Sequence, residues 1–199
     1  MKKFLGLIVG LLLMISLFGT ANAATIVDTG WVDNSWSVTF NPYKFAAEFA
    51  ISDDYTITSM ETFLNSKSAG STATVVLYED GGSTPGGELY SGQATFESGN
   101  SWDGIYNTSW KLDAGTYWAS FEIRPGDTLM GSLTTHPPSP LGNEVWGFGN
   151  DSDWNTTRDY DITVRIMGDL NTVPIPGTIS LLGLGLLGLA GVHSRKKQK

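Results

Sequence analysis

The sequence predicts an all-β fold: an antiparallel β-sandwich of jelly-roll-like form, flanked by an N-terminal signal helix and a C-terminal transmembrane helix. Three observations predict it. Apolar and polar side chains alternate with period two over residues 24–168, and no stretch there sustains a 3.6-residue period. Turn formers punctuate the alternation; with 24 Gly and 8 Pro the composition excludes a coiled coil. The 7 Trp, 7 Tyr and 9 Phe exclude disorder and supply a large core.

Trp36 to Phe40 alternates cleanly, and so does Tyr55 to Leu64. Lys44 to Ile51 has a helix-like Phe45, Ala46, Phe49 spacing but is shorter than three turns, so a strand is expected. Ala73 to Tyr78 is apolar on both faces, as a strand inside a sandwich would be. The run from Asp80 to Gly87 is a loop, with Glu88 to Phe96 as the returning strand. Tyr106 to Leu112, the turn Asp113-Ala114-Gly115 and Thr116 to Ile123 read as a hairpin. Its second strand puts Tyr117, Ala119, Phe121 and Ile123 on one face and Trp118, Ser120 and Glu122 on the other. Val145 to Phe148 and Asp161 to Met167 complete roughly nine strands, and Gly168 is expected to open a linker. There is no internal repeat, which argues against a propeller or solenoid.

The two ends read as addresses. Lys2-Lys3, the apolar run Phe4 to Phe18 and Ala21-Asn22-Ala23 form a secretory signal peptide over residues 1–23, with cleavage predicted before Ala24. At the other end Val173-Pro174-Ile175-Pro176-Gly177 precedes the apolar run Ile179 to Val192 and the basic tail Arg195-Lys196-Lys197-Gln198-Lys199. Counted from Ile175 the apolar segment spans about 27 Å as a helix, marginal for crossing a bilayer, and the exported chain is expected to stall there. The basic tail is what the positive-inside rule keeps in the cytoplasm. A plain C-terminal anchor is the competing reading. The division is therefore signal peptide 1–23, β-sandwich domain 24–168, linker with motif 169–178, and span with basic tail 179–199.

This tripartite C-terminus resembles the PEP-CTERM sorting signal of exported proteins in Gram-negative, exopolysaccharide-producing bacteria. The tripeptide here is Pro174-Ile175-Pro176, without the central Glu of the usual motif and similar to variant Val-Pro-aliphatic-Pro forms. The resemblance implies that Pro174, Ile175, Pro176 and Gly177 are the recognition element and that Arg195, Lys196 and Lys197 set the topology. It further implies an exosortase-type membrane protease as partner. A looser resemblance, carried by Leu77-Tyr78-Glu79-Asp80, Pro85-Gly86, Leu112 to Trp118 and Asp159 to Ile162, is to a β-sandwich domain often found upstream of that signal. That resemblance implies a fold and assigns no activity.

Between residues 24 and 173 there are six basic residues against all 20 acids, a formal charge of −14. So acidic a body repels phosphate backbones, which excludes nucleic acid as a partner. With no Cys, no disulfide or thiol chemistry is available. The body's one His, His136 in Thr-Thr-His-Pro-Pro, has no Gly-x-Ser-x-Gly to serve, so neither a catalytic triad nor a zinc site is expected. Glu61, Glu79, Glu88 and Glu122 lie on expected strands, and Glu122 shares a face with Trp118. A glycosidase would need two such groups facing one cleft, but no strand carries a paired-Glu pattern, so no catalytic residue is assigned.

No cofactor is expected either. Asp151-Ser152-Asp153-Trp154-Asn155, with Asp159 and Asp161 following, opens like an oxygen-ligand loop for structural calcium. Thr156 and Ile162 replace the Gly and Glu that an EF-hand needs, and a solvated acidic loop is the competing reading. Trp102, Trp110, Trp146 and Trp154 sit among Asn, Asp and Gly, the setting of a sugar-stacking platform. Trp102 and Trp154 are its leading members, and core filling is the alternative. The functional expectation is a non-enzymatic, surface-sorted structural or adhesive protein of the envelope or extracellular matrix. Its alternatives are an exopolysaccharide-binding module and, behind that, a glycosidase.

Overall fold

The computed structural model describes residues 23–30, 37–134, 140–149, 153–156 and 162–171. Among them eleven strands form two antiparallel sheets: β1 (Ala24–Asp28), β2 (Ser37–Thr39), β3 (Tyr43–Ile51), β4 (Tyr55–Ser66), β5 (Ser71–Asp80), β6 (Pro85–Phe96), β7 (Gly99–Leu112), β8 (Gly115–Glu122), β9 (Gly131–Thr134), β10 (Glu144–Phe148) and β11 (Arg165–Leu170). Sheet A runs β1-β11-β4-β9-β2, with β7 on the other side of β4. Sheet B runs β10-β3-β8-β5-β6.

The two sheets close on one core. Phe45 and Phe49 from β3, Val75 and Leu77 from β5 and Phe121 from β8 meet Ile57, Met60 and Leu64 from β4 and Ile166 from β11. Successive side chains of a strand point to opposite faces, so the alternation fixed these inward positions before any contact formed. The expected strand over Lys44 to Ile51 forms as β3, and the loop after Asp80 turns at Gly82, whose φ of 92° and N–H bond to Asp80 Oδ1 (2.8 Å) suit glycine.

One expectation fails. Tyr106–Leu112 and Thr116–Ile123 are not a hairpin: β7 pairs with β4 in sheet A, while β8 lies between β3 and β5 in sheet B. The turn at Asp113-Ala114 carries the chain across the core from one sheet to the other. Asp54 Oδ1 accepts the Ala114 N–H at 2.9 Å, and the Tyr117 hydroxyl donates to Asp113 O at 2.9 Å. The strands β1 and β9 were not expected. β11 also runs past the expected linker start, since Gly168 and Leu170 pair with Ile57 and Tyr55.

The registers define two ends. Ala24 opposes Gly168, and Leu170 opposes Tyr55, which opposes Leu112; the turns after Ile51 and Leu112 continue this end into sheet B. The chain thus enters and leaves the sandwich at one end. At the far end lie the start of β3, the end of β8 and the residues that follow Phe121.

Candidate functional site

Three surface features combine charged, polar and aromatic groups. The first lies on the outer face of sheet B. The alternation of β8 turns Trp118, Ser120 and Glu122 away from the core, yet all three are buried, Glu122 to 2 % exposure. Trp118 packs with Ala46 and Val145 under Tyr78 and Trp154. Glu122 Oε1 accepts the Tyr78 hydroxyl at 2.7 Å and lies 2.9 Å from Ser120 Oγ, while Oε2 accepts Arg124 Nε at 2.8 Å. Arg124 Nη2 reaches Glu88 Oε2 at 2.8 Å and the Tyr78 oxygen at 3.1 Å. Each charge is thereby matched and hydrogen-bonded, the condition for burying it.

The network shifts its members. Burial, reinforced by the Glu122 charge, pushes the Tyr78 hydroxyl well above its ordinary value. The Arg124 hydrogen bond holds Glu88 below the usual carboxylate range. Burial works against the charge on Arg124, but its bonds to Glu88 and Glu122 outweigh that and hold it protonated.

The second feature is on the outer face of sheet A. Arg165 reaches Asp28 Oδ2 at 3.3 Å and Glu61 Oε2 at 3.4 Å, and its guanidinium lies 4.1 Å over the Trp102 ring. Trp102 also meets Phe63 edge to face, with ring centroids 5.7 Å apart. Tyr106, 48 % exposed, donates its hydroxyl to Trp102 O at 3.3 Å and is pushed up to about 12 by partial burial and by Glu61 and Asp103. Burial raises Glu61 despite Arg165 beside it.

The third is a groove of about 320 Å³ along the edge strand β10, lined by Trp146, Phe148, Asp153, Trp154 and Asn155. Asn155 exchanges both backbone hydrogen bonds with Trp146 (3.2 and 2.6 Å), so residues 153–156 lie against β10. Gly147 permits this: a Cβ there would stand 2.6 Å from Asp153 O and 2.7 Å from Lys44 Cε. Tyr43, Trp146 and Phe148 form a ring cluster with centroids 5.3–5.9 Å apart. Phe148 is 47 % exposed and also borders a second concavity of about 510 Å³, walled by Asn41, Arg124 and Asp127 at the far end of the sandwich.

The residues singled out from sequence separate as follows. Trp102 and Trp154 lie on opposite faces of the sandwich and share no platform, because β7 belongs to sheet A and Trp154 packs on sheet B. Trp154 carries Lys44 Nζ over its ring at 4.0 Å and meets Tyr78 edge to face. Trp110 stacks on Tyr90 at 5.5 Å, and Trp146 joins the β10 groove. Of the four strand glutamates, Glu88 and Glu122 come together, with Arg124 between them; Glu61 is on the other sheet and Glu79 is on β5 at the entry end. Ala24 is the first residue of β1, beside Ala23.

Ala21, the sorting motif Pro174 to Gly177, the apolar span, the tail residues Arg195, Lys196 and Lys197, and His136 lie outside the described residues. So do Asp151, Asp159 and Asp161 of the calcium-like loop. Among the described residues no three His, Cys, Asp or Glu side chains gather as metal ligands, and no helix is long and apolar enough to cross a membrane.

Sequence reasoning missed Arg124, Tyr78, Arg165 and Phe148. Arg124 was within reach, since period two places it on the face of Trp118 and Glu122. The others are brought in by pairing between strands distant in sequence. In comparisons with protein-family models and with curated proteins, nothing matches this chain.

Proposed function

We propose that this chain is an exported, surface-displayed structural or adhesive β-sandwich of the envelope or extracellular matrix. It is delivered by a signal peptide and processed at a C-terminal PEP-CTERM-like signal by an exosortase-type protease. The carrying observation is where the fold begins and ends. Its first strand starts at Ala24, directly after Ala21-Asn22-Ala23, and its last ends at Leu170, just short of Val173. Cleavage at either address therefore cuts no strand of the described sheets. The signal helix, the transmembrane span before processing and the basic tail held within the cell belong to the same proposal.

The sandwich is read as a jelly roll with additions. The order β1-β11-β4-β7 opposite β3-β8-β5-β6 supports this, because those eight strands interleave in the manner of two Greek keys. No catalytic role is assigned. Glu88 and Glu122 both bind Arg124, an arrangement that suits holding the face together.

A second reading, binding of extracellular polysaccharide, is favoured by the aromatic groove at β10. The test of display is intact-mass analysis of protein recovered from the cell surface. An N-terminus at Ala24 and loss of the tail beyond the Pro174-Ile175-Pro176 motif are expected. Surface protein that retains Lys199 overturns processing, and intracellular protein that retains Met1 overturns export.

A further inference from the structure

We infer that Asp169 to Asn171, where the sandwich ends, form a releasable strap that sets the rate of processing at the Pro174-Ile175-Pro176 motif; this rests on the processing reading above. β11 is held on both edges only as far as Gly168, which faces Ala24 on β1 and Ile57 on β4. Beyond it, Asp169 and Leu170 pair with β4 alone, opposite Thr56 and Tyr55. Asn171 ends the held chain: its N–H donates to Asp54 O at 2.8 Å, and its Oδ1 accepts the Thr56 hydroxyl at 2.7 Å. The strap adds nothing to the core. Leu170 is 45 % exposed and Asn171 is exposed too, whereas Ile166 is fully buried. Hydrogen bonds alone hold the strap, so it opens at far lower cost than the strands behind it.

Covalent geometry makes the strap matter. Only Thr172 and Val173 separate Asn171 from Pro174. Whatever path they take, Pro174 lies within about 11 Å of Asn171, Cα to Cα. A protease binds its substrate as extended chain on both sides of the scissile bond. With the strap closed, the sandwich, two sheets about 10 Å apart with side chains on both outer faces, stands against that position. Opening the strap moves the last held residue back to Gly168. The intervening residues then rise from two to five, and the reach doubles to about 22 Å. Cleavage of a transiently opened segment follows the population of the open form. Thr56 is thus a positioning residue for processing, acting through Asn171.

The test is pulse-chase labelling of the full chain in the producing cell, with intact mass reading loss of the tail over time. Thr56→Val keeps the shape of the side chain and removes its hydroxyl bond, so processing should run about fivefold faster. Gly/Ser residues, about six, inserted between Thr172 and Val173 supply the missing reach of about 20 Å without touching the sandwich. That variant should be processed at least as fast, and Thr56→Val should then add nothing. General loss of stability would behave differently: Tyr78→Phe, which weakens the other sheet, should be processed at the parent's rate. Parent rates in Thr56→Val or in the spacer variant, additive acceleration when the two are combined, or equal acceleration by Tyr78→Phe each overturn the strap and leave processing in place. If neither the parent nor the spacer variant ever loses its tail, the processing reading fails and the strap fails with it.

Discussion

The two outer faces of the sandwich carry the same device in different surroundings. Each has one arginine, itself 30 % exposed, between two carboxylates and beside an aromatic residue: Arg124 with Glu122, Glu88 and Tyr78, and Arg165 with Asp28, Glu61 and Trp102. On sheet B the ion contacts are 2.8 Å and the Glu122 side chain is 3 % exposed beside a buried Trp118. On sheet A they stretch to 3.3–3.4 Å, and Glu61, the more buried carboxylate there, keeps 11 % of its side chain exposed. Short contacts at a buried carboxylate make the first network obligatory, because removing one partner strands a charge. Longer contacts to a less deeply buried carboxylate make the second more replaceable.

Substitutions can break or sharpen that contrast. Trp118→Ala should be the most damaging, at about 3–5 kcal/mol by denaturant midpoint, because it empties the largest buried side chain under the sheet B network. Trp102→Ala, half-buried on the other face, should cost distinctly less. Arg124→Met should cost about 3 kcal/mol, leaving Glu122 buried without its cation. Tyr78→Phe should cost about 2 kcal/mol, the loss of the hydroxyl's hydrogen bonds to Glu122 and Arg124. Arg165→Met should cost no more than about 1 kcal/mol. Equal losses for the two arginine variants would erase the distinction.

The subtlest test is pH. Glu88 is lowered by Arg124, so its contribution is present above the ordinary value of 4.5 and is lost as pH falls through the lowered one. Glu61 is raised by burial, so the folded state binds its proton more tightly. Its contribution is present below 4.5 and is lost as pH rises through the raised value. Relative to the parent, Glu61→Gln should gain stability between about pH 4 and pH 7, and Glu88→Gln should lose it. Urea midpoints at both pH values decide this, and shifts of the same sign would contradict it.

What the sequence revealed divides along the same lines. Period two in Thr116 to Ile123 correctly grouped Trp118 with Glu122 and separated both from Phe121. It could not reveal that the outer group is covered, because the cover comes from Tyr78, 40 residues earlier, and Trp154, 36 residues later. The mistaken hairpin has a related cause. A short turn between two alternating runs looks the same whether the strands pair or part, and partners from β3, β4 and β5 made the choice. β9 escaped because four residues before a Pro-rich stretch carry too little alternation to register. Among the site groups, the tryptophans were visible by type, but Phe148 drew no notice as the exposed ring at which the two concavities meet.

The placement of Ala24 and Leu170, where the first strand starts and the last ends, at one pole has a mechanical consequence. If the body is held through the segment after Leu170 and loaded at its opposite end, tension runs lengthwise from one pole to the other. β11 is bonded on both edges, to β1 and to β4, and ladder bonds lie across the strand direction. Such a pull loads those bonds together in shear, whereas a pull from the side would open them one at a time like a zip.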